Sequence, residues 1–310
     1  VVIVNWKLPD DTLACVASLL ADGVPPAHIH VVDNGSADGS AERLARELAE
    51  GVVLLHSAVN MGFAGGNNLA ISAALDAGAQ WVLLLNNDTV VRPGLFAALA
   101  AAQRLAPDVR LWSPLILFHD DPGTVWAVGD RWVAGTLATR SLWRNQPRPE
   151  DPPDVVRVNS LTACALLVHA EVFRAVGLLD ERHFMYGEDS DFCLRAERAG
   201  FTLACAMRGE VLHKVSRSTG PQSPLQRTWR IGNMARLYRR HARGLQRPMM
   251  FAFSTLRTAK LALGDLLAGR LTLAAASWQG WLAGWFGAPD APIAPPPVHD
   301  HPRPPDTTPF

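Results

Sequence analysis

Short apolar runs alternate with longer helix-forming runs through the N-terminal third of the chain. Each apolar run ends in small polar residues. Residues 1–4, 29–32, 52–55 and 81–85 read as strands, and residues 12–21, 40–50 and 69–76 read as helices. Strands without polar alternation that are separated by helices describe βαβ units of a parallel sheet covered on both faces. In such sheets ligands bind outside the C-terminal strand edges. The polar residues after each strand are therefore the first candidates for a site.

Strand 29–32 runs into Asp33, Asn34, Gly35 and Ser36. The run after strand 52–55 is glycine-rich and holds Asn60, Gly62, Phe63, Gly65, Gly66, Asn67 and Asn68. Strand 81–85 ends in Asn86, Asn87, Asp88 and Thr89. Asp88 has the chemistry to hold a hard divalent cation that bridges substrate phosphates. The competing reading is a cap for a helix starting near Pro93. Asp33 offers a carboxylate to a ribose or base, or else an ordinary turn. Gly62, Gly65 and Gly66 would let backbone approach a ligand. No Gly-x-Gly-x-x-Gly follows the first strand, where Asn5-Trp6-Lys7 stands instead, and no Gly-Lys-Ser/Thr is present. These absences count against a dehydrogenase and a P-loop NTPase.

Further along, residues 109–118, 162–168 and 201–206 read as strands, with 211–213 following the last. Residues 93–106, 171–176 and 189–199 read as helices, and 140–155 as a surface loop. Glu188, Asp189 and Asp191 cluster at a helix start. That position suits acidic residues on dipole grounds alone. Their apolar frame, from Phe184 to Phe192, also suits a general base facing a hydroxyl. His213 reads as a metal ligand or a buried structural histidine, and Lys214, Ser216 and Arg217 after it as a phosphate-facing loop.

The chain has 310 residues, 48% of them apolar, with a formal net charge of zero. That balance argues against a nucleic-acid binder. Cys15, Cys164, Cys193 and Cys205 show no Cys-x-x-Cys spacing and read as reduced, buried thiols. No secretory signal is expected. Val1 opens directly on a strand, as it would if a short N-terminal piece were missing or a non-standard start codon had been read literally. Residues 227–270 carry ten Arg or Lys and one acid, Asp265. Residues 261–286 are mostly apolar and include Trp278, Trp281 and Trp285. Their uncharged part, 271–286, is 16 residues, short of the ~20 a spanning helix needs. A basic, Trp-bearing segment suits a membrane interface. The alternative is a pair of helices packed on the rest of the chain. From residue 289 the tail holds nine prolines in 22 residues and is expected to be extended or disordered.

Taken in order, five segments resemble the inverting glycosyltransferases of family 2, in particular the rhamnosyltransferase-like group that builds bacterial surface polysaccharides. They are residues 1–6, 31–40, 60–68, 83–89 and 177–195. The resemblance covers roughly residues 1–240. It implies a GT-A fold, a mostly parallel central sheet flanked by helices, over residues 1–224. A basic helical extension is expected over 225–288, then the Pro-rich tail. The donor it implies is a nucleoside-diphosphate sugar, dTDP- or UDP-linked, most simply L-rhamnose. The acceptor is a saccharide or lipid-linked saccharide, met at the inner face of the plasma membrane by a cytoplasmic, peripheral enzyme.

Residue by residue, the resemblance makes Asp33 the reader of the base. Asn5, Asn34, Asn60, Gly62, Phe63, Asn67 and Asn87 become parts of the donor pocket. Asp88, at the last position of the Asp-x-Asp motif, would bind Mg²⁺ or Mn²⁺, with His213 as a second ligand. Asp189 becomes the base and Glu188 its support. Asn86 departs from the carboxylate many members carry, and Lys7 from a small polar residue. A different hexose donor is the nearest alternative. A nucleotidyltransferase would need a Gly-rich basic loop after the first strand, and a non-catalytic nucleotide-sugar sensor would not need Asp189 beside Asp88.

Overall fold

A computed structural model describes residues 1–215, 223–291 and 293. Ser216, Arg217 and the proline-rich tail beyond Ile293 lie outside the described residues. The N-terminal half opens as β1 (Val2–Asn5), α1 (Pro9–Ala21), β2 (His30–Asn34), α2 (Ser40–Glu47), β3 (Val53–Ser57), α3 (Gly62–Asp76) and β4 (Trp81–Asn86). It continues through β5 (Thr89–Val91), α4 (Leu95–Leu105) and β6 (Val109–Phe118). Three short strands follow, β7 (Val125–Ala127), β8 (Asp130–Trp132) and β9 (Thr139–Ser141). Then come β10 (Val155–Val158), β11 (Ala165–His169), α5 (Ala170–Val176), α6 (Glu188–Arg198) and β12 (Thr202–His213). The chain closes with α7 (Pro224–His241), α8 (Gln246–Leu267) and α9 (Leu271–Phe286).

The main sheet runs β10-β12-β6-β11-β4-β1-β2-β3, with β5 added on β12 and β7 on β6. Strands β3, β2, β1 and β4 are parallel. β11 lies antiparallel between β4 and β6. The pleat divides the core into two layers. Val2, Val32 and Leu84 face α3, against Ala64, Ala70 and Ile71. Ile3, Val31, Leu83 and Leu85 face α1 and α4, against Cys15, Leu19, Leu95 and Leu99. Each such aliphatic side chain contributes roughly 1.5–3 kcal/mol by burial. All four cysteines are buried and free, as expected.

Three elements differ from the sequence reading. The glycine-rich run is not a loop, because α3 already begins at Gly62. Its glycines serve packing within the protein. A Cβ on Gly62 would meet the Phe184 carbonyl at 2.2 Å, and one on Gly66 would meet Val4 Cγ1 at 2.8 Å. The strand read in two pieces is one, β12, whose register against β6 shifts between Ala206 and Glu210. The apolar segment 261–286 is broken into α8 and α9 at Gly269, which has a φ of +72°.

The C-terminal helices pack inward. Gly280 and Gly284 of α9 abut the Thr228 and Gly232 carbonyls of α7, where any Cβ would fall at 2.4 and 2.3 Å. Trp281 and Trp285 point into this bundle, and both indoles donate to Ser254 Oγ, at 3.2 and 2.9 Å. This corrects the reading of the tryptophans as an interfacial belt, since only Trp278 of the three is exposed. Among the described residues no helix is long and apolar enough to cross a membrane.

Candidate active site

The strand ends of the parallel half open onto a cleft of about 410 Å³. Asn34, Asn60, Gly62, Phe63, Asn67, Asn86, Asn87, Asp88, Glu188, Asp189 and His213 all line it. The sequence reading missed Trp126, Arg144, Tyr186, Gln226 and Arg230, which also line it. Of these, only Tyr186 had a visible signal, its place directly ahead of Gly187-Glu188-Asp189. A larger cavity of about 670 Å³ lies beside Val1, Trp81 and Phe96, and no expected site residue lines it.

Asn5 and Asp33 are the exceptions. Both are buried behind the cleft walls. Asn5 Nδ2 donates to Asp33 Oδ1 at 2.9 Å, and the Ser36 hydroxyl donates to the same oxygen at 2.5 Å. Ser36 N donates to Asp33 Oδ2 at 3.2 Å. These bonds tie the ends of β1 and β2 together. Asn34 Nδ2 bonds the Gly62 carbonyl at 2.9 Å, and its Oδ1 accepts from Met61 N at 3.1 Å. The amides thus fix the start of α3 at the cleft.

Asp88 and His213 are brought together by strand pairing. β5, which starts just after Asp88, lies antiparallel to the end of β12, so His213 pairs with Thr89. Lys214 N donates to the Asp88 carbonyl at 2.9 Å. His213 Nε2 then stands 3.2 Å from Asp88 Oδ1, with both side chains buried. The His213 ring meets Trp126 edge to face at 4.4 Å. Asn86 Oδ1 is buried with no hydrogen-bond partner among the described residues. A carboxylate, an imidazole nitrogen and an orphaned amide oxygen on one wall fit a divalent cation of the Mg²⁺ or Mn²⁺ kind. Another acidic group with ligand-like spacing, Asp180, His183 and Asp191, does not fit one. Its carboxylates are already engaged by Arg182, Arg240, Arg195 and His241.

Asp189 sits on the first turn of α6. Its Oδ2 accepts from Ala163 N at 3.4 Å and its Oδ1 from Ser190 N at 2.6 Å. Asn86 N donates to the neighbouring Cys164 carbonyl at 2.9 Å. The segments that carry Asp88 and Asp189 are thus linked through Ala163 and Cys164, and the charges of both carboxylates reach Cys164. Burial raises the pKa of Asp189, opposed by its hydrogen bonds from Ser190 and Ala163. Burial raises Glu188 well above the usual carboxylate range, and the charge of Asp189 adds to this. Both shifts run toward the protonated form, and the one at Glu188 is the larger. A carboxylate with an upward-shifted pKa is a stronger base.

A family model described as "Glycosyltransferase like family 2" matches residues 1–243. The chain belongs to the family 2 glycosyltransferases. It is 32% identical over 224 residues to an N-acetylglucosaminyl-diphospho-decaprenol L-rhamnosyltransferase of Mycobacterium tuberculosis, covering 66% of this chain and 72% of that protein. It is 28% identical over 221 residues to the galactofuranosyltransferase GlfT1 of the same species, covering 68% of each. The fold matches a Pyrobaculum calidifontis mannosyltransferase solved with GDP-Man and Mn²⁺, at a TM-score of 0.53 and 15% identity, over 92% of this chain and 86% of that one. The GT-A fold and the assignment as a sugar-transferring enzyme thus stand on the family, and the cleft lies where an open α/β sheet binds its ligand.

Proposed function

We propose that this glycosyltransferase moves a hexose, L-rhamnose before others, from a nucleoside-diphosphate sugar to a lipid-linked saccharide, with inversion. The observation that carries the mechanism is the opening of Asp88–His213 and Asp189 onto one cleft. Asn34, Asn60, Asn67 and Asn87 would bind the donor, with Gly62 and Phe63 forming the floor beneath it. The base would lie toward Asp33, whose carboxylate has lone pairs left, and Asn5 would hold that carboxylate in place. Asp88 and His213, with Asn86 beside them, would hold Mg²⁺ or Mn²⁺. Such a cation, when bound, offsets the negative charge that builds on the departing diphosphate. Asp189 takes the proton of the acceptor hydroxyl as that oxygen attacks the anomeric carbon from the face opposite the diphosphate. The bond to the diphosphate breaks in the same step, so the configuration inverts. Glu188, whose charged form is disfavoured by burial, would support Asp189 from the neighbouring position.

The rhamnosyltransferase relative supports the sugar and the lipid-linked acceptor, and the galactofuranosyltransferase relative keeps a UDP-linked hexose as the second reading. The exposed face of α8 supports work at a membrane surface. Leu256, Leu263 and Leu267 are 71, 57 and 81% exposed. Arg247, Arg257 and Lys260 share the helix, and Asp265, its only acid, is buried against Arg227 and Arg270. An apolar, basic face without free acids suits the anionic inner leaflet of a plasma membrane. A calorimetric screen of dTDP-, UDP- and GDP-sugars with Mn²⁺, followed by NMR of the product, tests the proposal. A product of retained configuration would refute the single displacement.

A further inference from the structure

Two guanidiniums in the cleft are not used by the reaction just described. Arg144 and Arg230 line it together with Trp126, Tyr186 and Gln226. Neither has a carboxylate partner among the described residues, whereas nearby Arg148 and Arg227 are paired with Glu210 and Asp265. Each instead lies over an aromatic ring, Arg144 at 5.1 Å from the Trp126 centroid and Arg230 at 5.9 Å from that of Tyr186. Arg144 Nη1 also donates to the Trp126 carbonyl at 3.3 Å, and stacking of this kind holds a guanidinium in place while leaving its other donors for a ligand.

The backbone on both sides of Arg144, and at the tyrosine beneath Arg230, lies in the left-handed region. Trp143 and Asn145, on either side of Arg144, have φ of +51° and +58°, and Tyr186 has +69°. Conformations of this kind persist where the surroundings enforce them. Here Asn145 N donates to the Val125 carbonyl at 2.9 Å and Gln146 N to that of Trp143 at 3.0 Å. The Gln226 amide donates to the Tyr186 hydroxyl at 2.5 Å. Like charge also gathers at this point. Burial lowers the pKa of Arg230, and the neighbouring Arg144, Arg257 and Arg227 lower it further. Arg227 is neutralised by Asp265, but Arg144 and Arg230 have no such partner among the described residues, and a polyvalent anion relieves the repulsion between them.

We infer that Arg144 and Arg230 form a subsite for the diphosphate of the acceptor, separate from the donor diphosphate at Asp88. The inference rests on the proposed transfer to a lipid-linked sugar. Spacing favours the acceptor. From His213, the Trp126 ring is 4.4 Å away and the Arg144 guanidinium a further 5.1 Å. Arg144 is thus separated from the cation wall by the Trp126 ring. Arg230 lies over Tyr186, three residues ahead of Asp189. Arg257, whose charge Arg230 feels, sits on α8 with the exposed leucines. A lipid lying along α8 would bring its diphosphate to these arginines and its sugar to Asp189.

The test is binding without turnover. The probe is N-acetylglucosaminyl farnesyl diphosphate, compared by calorimetry with octyl N-acetylglucosaminide, which lacks phosphate. The wild-type chain is expected to prefer the diphosphate. Arg144→Gln and Arg230→Gln are each expected to weaken that probe about ten-fold or more, as loss of a charged hydrogen bond implies, and the double variant to erase the preference. Arg144→Lys and Arg230→Lys keep the charge without the fork and should regain part of the affinity. UDP binding with Mn²⁺ should not change. A preference that survives in the double variant overturns the inference. So does an equal loss of UDP–Mn²⁺ affinity, which would assign the arginines to the donor. An equal loss of binding to phosphatidylglycerol vesicles would assign them to lipid headgroups and also overturn it. Failure of the transfer reaction itself appears separately, as absent product with every sugar donor.

Discussion

Asp191 stands two residues beyond the proposed base, and its removal should be costly in a way that depends on pH. The side chain is fully buried. Its Oδ1 accepts from His241 Nε2 at 2.7 Å and its Oδ2 from Arg195 Nε at 2.7 Å. Burial alone would raise its pKa, but His241 and Arg195 outweigh it and bring the value from 3.8 down to about 2. A native pKa below the unfolded one means the unfolded chain binds the proton more readily, so the contribution to stability is present above the unfolded pKa. It is lost as pH falls through the native value. At 1.36 kcal/mol per unit, the shift corresponds to about 2.5 kcal/mol near neutral pH and roughly half of that at pH 3. Asp191→Asn should therefore lower the urea midpoint at pH 7 by the equivalent of about 2–3 kcal/mol, with an unchanged m-value. The gap between variant and wild type should narrow as the pH is brought from 5 toward 3. A gap that is the same at pH 3.5 and pH 7, or no gap at all, would refute the reasoning.

Other outcomes follow from the same geometry. Asp189→Asn should lower kcat by about 10²–10⁴-fold, the usual worth of a general base, while calorimetry shows donor affinity retained; full turnover would remove it from that role. Asp88→Ala and His213→Ala should each make UDP binding insensitive to Mn²⁺, and a normal Mn²⁺ response in either would move the cation elsewhere. Gly284→Val puts a branched side chain against the Gly232 carbonyl and should destabilise by about 1–3 kcal/mol or more, read as a lower Tm. Leu256→Glu with Leu263→Glu should abolish flotation with anionic liposomes at unchanged Tm, whereas equal flotation would count against α8 as the lipid face.

The parallel half of the fold was legible because its strands are buried on both faces and its helices alternate with them. The walls of the cleft were legible for the same reason, since polar residues at four strand ends have no structural need to be there together. What the sequence could not convey was contact between distant segments. Gly62 and Gly66 look as if they make room for a ligand, yet the neighbours they accommodate are Phe184, Val4 and Asn34. Trp281 and Trp285 look interfacial by composition, and only the helix crossing at Gly280 and Gly284 turns them inward. Asp33 and Asn5 carry the right chemistry, but their bonds to each other and to Ser36 could not be read from the sequence. Arg144 lies in a stretch that reads as surface loop, and no periodicity announces a turn with two non-glycine residues at positive φ.

The crossing of α7 and α9 has a consequence for anyone exchanging parts between relatives. α7 bonds the segment that carries the proposed base through Asn233 to the Met185 carbonyl, His241 to Asp191 and Arg236 to the Arg182 carbonyl. On its other side it is sealed by α9, glycine against glycine. A chimera that swaps only α8 and α9 would pair a foreign helix with a surface that tolerates no added methyl group. One that takes α7 as well must bring along its own 182–191 segment, and so the proposed base. The transferable cassette is therefore discontinuous, with α6 and its preceding loop travelling together with the last three helices.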